Sequence, residues 1–148
     1  MSKKVLVPLD SSELAECTLT HVKDLAKYGI VGEVTLLNIV QFNIPWVEGY
    51  VDIPALREKS LDASRDYLAG QEAALSAAGI KVKTDTVEAN SVAYAIADYA
   101  QKSGMDMILI ATNGYSGLKK VFLGSVASGV VQQSNVPVYL IRPDACRV

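Results

Sequence analysis

Five short strand-like runs, most of them apolar, alternate with segments whose apolar residues recur at helical spacing, and this alternation constrains the chain more than any other feature. Val5 to Leu9, Val34 to Val40, Val82 to Val87, Met107 to Ala111 and Val138 to Ile141 read as strands. A helix between each pair of consecutive strands implies parallel pairing, with helices covering both faces of one sheet. Right-handed crossovers and five strands favour the order 3-2-1-4-5, a doubly wound α/β fold. The first and fourth runs are continuously apolar, as central parallel strands are. The third alternates Val82, Lys83, Thr84, Asp85, Thr86, Val87, so it belongs at a sheet edge.

The helices carry their own signals. The first opens at Asp10-Ser11-Ser12-Glu13, where Asp10 and Glu13 have capping-box spacing, and it stops at Gly29. The second runs from about Ala55 to Ala78, with Leu61, Leu68 and Leu75 recurring every seven residues beside Tyr67 and Ala74. Val92, Ala93, Ile96, Ala97 and Ala100 mark the third. Ser125 to Ser134 is the fourth. Residues Gln41 to Pro54, with Trp46 and Tyr50, form a long connection, read as a functional loop or an added surface.

Length and composition narrow the function classes. The 148 residues suit a single domain spanning 1–148, and half of them are apolar. A net charge of −2 leaves no basic surplus for nucleic acid or anionic lipid. No apolar stretch has membrane-spanning length, and the run after Met1-Ser2-Lys3-Lys4 is too short for a signal peptide. A cytoplasmic setting is expected, with Cys17 and Cys146 both reduced and Cys17 in the core. A single histidine, His21, leaves little for a zinc site or a Ser-His triad, so no catalytic residue is assigned and no protein metal site is expected.

In such a sheet, ligands bind beyond the carboxyl ends of the strands where the order reverses. Here that lies just after Leu9 and just after Ala111. The second of these loops holds Gly114, Gly117 and Gly124, with Gly124-Ser125 opening a helix. Free N–H groups and the dipole at a helix start make an anion site, and glycines let backbone amides approach a ligand. One glycine would only make a turn, whereas three ending at a helix start favour phosphate binding. Lys119 and Lys120 could add charge. The loop is neither a P-loop nor a dinucleotide fingerprint. Asp10, after the first strand, could accept from an adenine amine or a ribose hydroxyl, or it could cap the first helix; the two readings weigh about equally. Ile39 and Ile110 would supply apolar walls.

The opening Val5-Leu6-Val7-Pro8-Leu9-Asp10-Ser11-Ser12-Glu13 resembles that of the universal stress protein family. Ala111-x2-Gly114-x9-Gly124-Ser125 is similar to that family's nucleotide motif, with Ala111 standing where its first glycine would be. Ser134-Asn135-Val136-Pro137-Val138-Tyr139-Leu140-Ile141 is similar to its closing helix end and strand. The resemblance covers the whole chain and implies an adenine nucleotide alpha hydrolase-like fold. It also implies binding of ATP, ADP or AMP, with Mg2+ or Mn2+ on the phosphates. Carried over by position, Pro8, Leu9, Asp10 and Ile39 would surround adenine and ribose. Ile110, Ala111, Gly114, Gly124, Ser125, Val126 and Ala127 would line the ribose and phosphates. A homodimer joined through Val138 to Ile141 is implied as well. The function expected is a stress-response or signalling module acting through nucleotide-dependent conformational or oligomeric change. A slow ATPase and a ligand-free interaction module are the alternatives.

Overall fold

A computed structural model describes residues 2–42, 52–112 and 123–142. Its elements run β1 (Lys3–Pro8), α1 (Glu13–Lys27), β2 (Val31–Val40), α2 (Ile53–Ala77), β3 (Lys81–Glu88), α3 (Val92–Lys102), β4 (Met107–Ala111), α4 (Ser125–Gln133) and β5 (Val138–Ile141). The strands form one sheet in the order β3-β2-β1-β4-β5, and every pairing is parallel. The expected topology is therefore the observed one.

Alternation along the strands divides the core in two. Val5, Val7, Leu36 and Leu109 point to the face covered by α1 and α2, against Cys17, Val22, Leu68 and Leu75. Leu6, Leu37, Ile108 and Ile110 point to the other face, against Ile96 and Ala100 of α3 and Ala127 and Val130 of α4. Central parallel strands are apolar throughout because both sets of side chains are buried. On that second face the two helices approach closely: a Cβ added to Gly129 would stand 2.6 Å from the Ala93 Cβ.

Several boundaries differ from the reading of the sequence. The second helix begins at Ile53, two residues before Ala55. The Asp52 carboxylate accepts from the Ala55 N–H at 3.1 Å, and Pro54 sits in the first turn, where its missing N–H costs nothing. Pro54 therefore starts the helix instead of closing a loop. Of the seven-residue repeat, Leu68 and Leu75 are fully buried. Ala74 faces outward, and Ser64 takes a buried place on the same face. Cys17 is buried as expected but is disulfide-bonded, which corrects the expectation of a reduced thiol. The chain's other cysteine, Cys146, lies outside the described residues, as do Trp46 and Tyr50. Wide sequence separation hid any pairing signal. The fold brings Ile141, at the end of β5, into the same core as Cys17.

Candidate functional site

β1 and β4 pair only through Val5 with Met107 and Leu6 with Ile108. Beyond these pairs the first chain turns to α1 on one face and the second leads toward α4 on the other. A cleft of about 320 Å³ opens between them at the carboxyl ends of the strands. Pro8, Leu9, Asp10, Ile39, Ile110, Ala111, Gly124, Ser125, Val126 and Ala127 all line it. Of the residues singled out in the two loops, Gly114, Gly117, Lys119 and Lys120 lie outside the described residues. His21 sits half-buried on α1 and is not among the lining residues.

The cleft also takes Ser12, Leu37, Gln41, Val92, Ile96 and Thr112, none of which the sequence pattern indicated. Val92 and Ile96 belong to α3, which packs on the same face of the sheet as α4. Gln41 is held at the rim, where its side-chain N–H donates to the Asn90 carbonyl at 2.7 Å. A helical period reports burial but not which neighbour a side chain meets, so these positions read only as core or loop.

The backbone at the end of β1 sets the cleft's inner wall. The Leu9 N–H donates to the Leu37 carbonyl at 2.8 Å. In a parallel ladder a residue turns both N–H and C=O toward one neighbour, and the next residue turns both to the other. Leu37 and Ile39 thus face the β1 side, and beyond Leu9 that side is the cleft. Asp10 accepts the Ser12 N–H on Oδ1 at 3.0 Å. It therefore makes a local turn two residues on, and the Glu13 side chain of the expected capping box lies outside the described residues. Ser11 between them has φ of 69°, a left-handed conformation that costs free energy in a non-glycine residue and is often found at functional sites.

The other wall is the start of α4. Gly124 is its N-cap, with φ −61° and ψ 164°, and has no side chain with which to cap the first turn. Those dihedrals suit any residue, so conformation alone does not require glycine here. Ser125, Val126 and Ala127 line the cleft, so the first-turn N–H groups and the positive end of the helix lie at its wall. Ala111 is an ordinary β4 residue in register with Ile141, so its methyl imposes no unusual backbone. Asp10 is the one ionisable side chain among the described lining residues. An apolar slot beside a helix start suits a ligand with a flat apolar part and an anionic part.

Comparisons with known proteins show the family and the fold. The model of the universal stress protein family matches residues 1–142. Universal stress protein MJ0577 of Methanocaldococcus jannaschii is 30% identical over 159 residues, covering 96% of each chain. Its solved structure superposes with a TM-score of 0.78 over 95% of both chains at 31% identity. Universal stress protein YxiE of Bacillus subtilis is 29% identical over 149 residues, covering 96% of this chain and 100% of its own. A universal stress protein family structure from Arabidopsis thaliana, with AMP bound, shares the fold at 16% identity and a TM-score of 0.66, covering 95% of this chain and 91% of its own.

Proposed function

The chain belongs to the universal stress protein family, and from that premise we propose that its cleft binds an adenine nucleotide, ATP or the corresponding di- or monophosphate. The observation that carries the reading is the conjunction of an apolar slot, a strand backbone turned into it and an uncapped helix start, all in one cleft. Ile39 and Ile110 flank the slot. The Ile39 N–H and C=O, turned to the β1 side, match the acceptor and donor on adenine's ring edge. Asp10, with Oδ1 held by its turn, presents its other oxygen to a ribose hydroxyl. The phosphates belong at Gly124, Ser125, Val126 and Ala127, where first-turn N–H groups donate with no N-cap side chain to compete. Gly114 completes the set by sequence position. The AMP of the Arabidopsis relative supports the ligand class.

No group of three or more His, Cys, Asp or Glu among the described residues could hold a metal. The Mg2+ or Mn2+ of this reading therefore arrives on the phosphates, whose charge it neutralises, and takes no cage from the described residues. We read the chain as a binding module and not an enzyme, because Asp10 alone among the described lining residues could move a proton. Its output is then a change of conformation or assembly, in a homodimer joined through Val138 to Ile141. An adenine nucleotide as ligand suits a cytoplasmic setting. Among the described residues no helix is long and apolar enough to cross a membrane.

Gly124→Val tests the reading. Because the Gly124 dihedrals accept a side chain, the fold should survive while the isopropyl group blocks the phosphates. Calorimetry with Mg-ATP should show binding in the parent and a loss of at least about tenfold in the variant, roughly one net hydrogen bond's worth. Equal affinities would sink the phosphate assignment.

A further inference from the structure

A chain of three side chains runs from the sheet edge to the cleft. The Asn38 side-chain N–H donates to the Leu9 carbonyl at 2.6 Å. Asn38 Oδ1 accepts from Ser64 Oγ at 2.8 Å, and Ser64 Oγ lies 2.8 Å from Thr86 Oγ1. Chemistry fixes the direction throughout. A carbonyl only accepts, so the Asn38 amide must turn its NH2 to Leu9 and its oxygen to Ser64. Ser64 must then spend its one proton on Asn38, so Thr86 donates to Ser64. Residues from β2, α2 and β3 thus converge on one carbonyl at the end of β1. Ser64 is buried on the otherwise apolar face of α2.

A network of this kind adds little net stability, since apolar groups of the same shape could replace it at small cost. Where it ends suggests what it is for. The next rung of the β1–β2 ladder after Leu9 N–H to Leu37 O would run from the Ile39 N–H to the Leu9 carbonyl. Asn38 supplies a donor to that carbonyl in its place. The side chain ends the ladder one rung early and leaves the Ile39 backbone turned into the cleft. It also fixes Leu9 immediately before Asp10 and the left-handed Ser11.

We propose that Asn38 is a positioning residue that, held by Ser64 and Thr86, keeps the Ile39 and Leu9–Asp10 backbone set to recognise adenine. This rests on the nucleotide reading above. Discrimination between AMP and inosine monophosphate tests it, because the hypoxanthine edge replaces adenine's acceptor with a donor and its amine with a carbonyl. Calorimetry well below the melting temperature should show that the parent prefers AMP by at least about tenfold. In Asn38→Leu the preference should fall toward unity. Thr86→Val should lower it several-fold, and Thr86→Ser should restore it. Leu75→Ala, a core truncation outside the network, should lower the melting temperature without moving the ratio. A parent that binds neither nucleotide overturns the nucleotide reading and this proposal with it. A parent that prefers AMP, with the ratio unchanged in Asn38→Leu, overturns the positioning role alone. If Asn38→Leu does not fold, the two Thr86 variants decide on the same criterion.

Discussion

The two edges of the sheet solve one problem in opposite ways. β3, at one end, is eight residues long and would offer a long unpaired edge. Ala89 N–H donates to the Val40 carbonyl, so Val82, Thr84, Thr86 and Glu88 are the residues whose backbone groups point outward. The Thr86 N–H is taken by the carboxylate of Asp85 at 2.9 Å, whose other oxygen accepts from Tyr99 Oη at 2.8 Å. Lys81 and Lys83 both pair with Glu33 on β2, at 3.2 and 3.0 Å, and Arg57 of α2 pairs with Glu88 at 2.8 Å. Charge and covering side chains blunt this edge against association. β5, at the other end, has four residues and no charge. Tyr139 is 43% exposed and Leu140 39%, with Val131 of α4 and Leu123 also exposed. An edge armed with charge resists pairing with another chain, whereas a short apolar one leaves that route open.

The ladder also says which residues face outward on β5. Ile108 N–H donates to Pro137 O and Thr112 N–H to Ile141 O, so Pro137, Tyr139 and Ile141 turn their backbone groups to β4. The outward groups are those of Val138 and Leu140. Proline at Tyr139 would damage the sheet itself, whereas Leu140→Pro removes only an outward donor, which edge strands tolerate. The largest effect is expected here. Light scattering should give a dimer for the parent at micromolar concentration and a monomer for Leu140→Pro. A parent that stays monomeric at high micromolar concentration would end the contrast between the edges.

A smaller effect is expected on the armed edge. Asp85→Ala uncovers the Thr86 N–H and releases the Tyr99 hydroxyl, and it should cost about 1 kcal/mol in urea unfolding. Burial, followed by the hydrogen bond to Asp85, pushes the Tyr99 phenol up from 10.0 to about 12. The unfolded chain therefore releases this proton first as pH rises. The stability that the protonated phenol contributes is present below pH 10 and is lost as pH climbs toward about 12. Tyr99→Phe should flatten the melting temperature over that window. An unchanged slope would remove Tyr99 from the account of this edge.

The smallest change should come from Glu33. Its hydrogen bonds to Lys83 and then Lys81 hold its carboxyl below the ordinary 4.5. Its contribution is present above that value and lost as pH falls through the lowered one. Glu33→Gln should lower the melting temperature slightly in low salt, and the difference should vanish in high salt, because exposed ion pairs are screened. A difference that persists in high salt would mean that packing, not charge, holds this end of β3.

Much of this was legible in the sequence because it depends on one element at a time. Burial on both faces makes Met107 to Ala111 apolar throughout, and exposure makes Val82 to Val87 alternate. Those patterns, with the handedness of crossovers, set the strand order and therefore where the cleft must open. Residues next to the switch point could be named from their position alone, and Leu9, Asp10, Gly124 and Ser125 do line one cleft.

Contacts between elements were not legible in this way. Asn38 and Ser64 carry no signal of their own in the sequence, and Thr86 is one position of a half-exposed edge strand. Only the register of β2 on β3, and the lie of α2 across them, brings the three together under Leu9. Asp85 likewise looked like solvated edge charge until the packing of α3 set Tyr99 against it. The bond from the Ser12 N–H to Asp10 spans a left-handed Ser11, a conformation that no sequence pattern indicated. Periodicity reports how much of a residue is buried. Which partner a buried polar group finds depends on distances of a few tenths of an ångström between segments far apart in the chain, and those are set only when the helices and strands have packed.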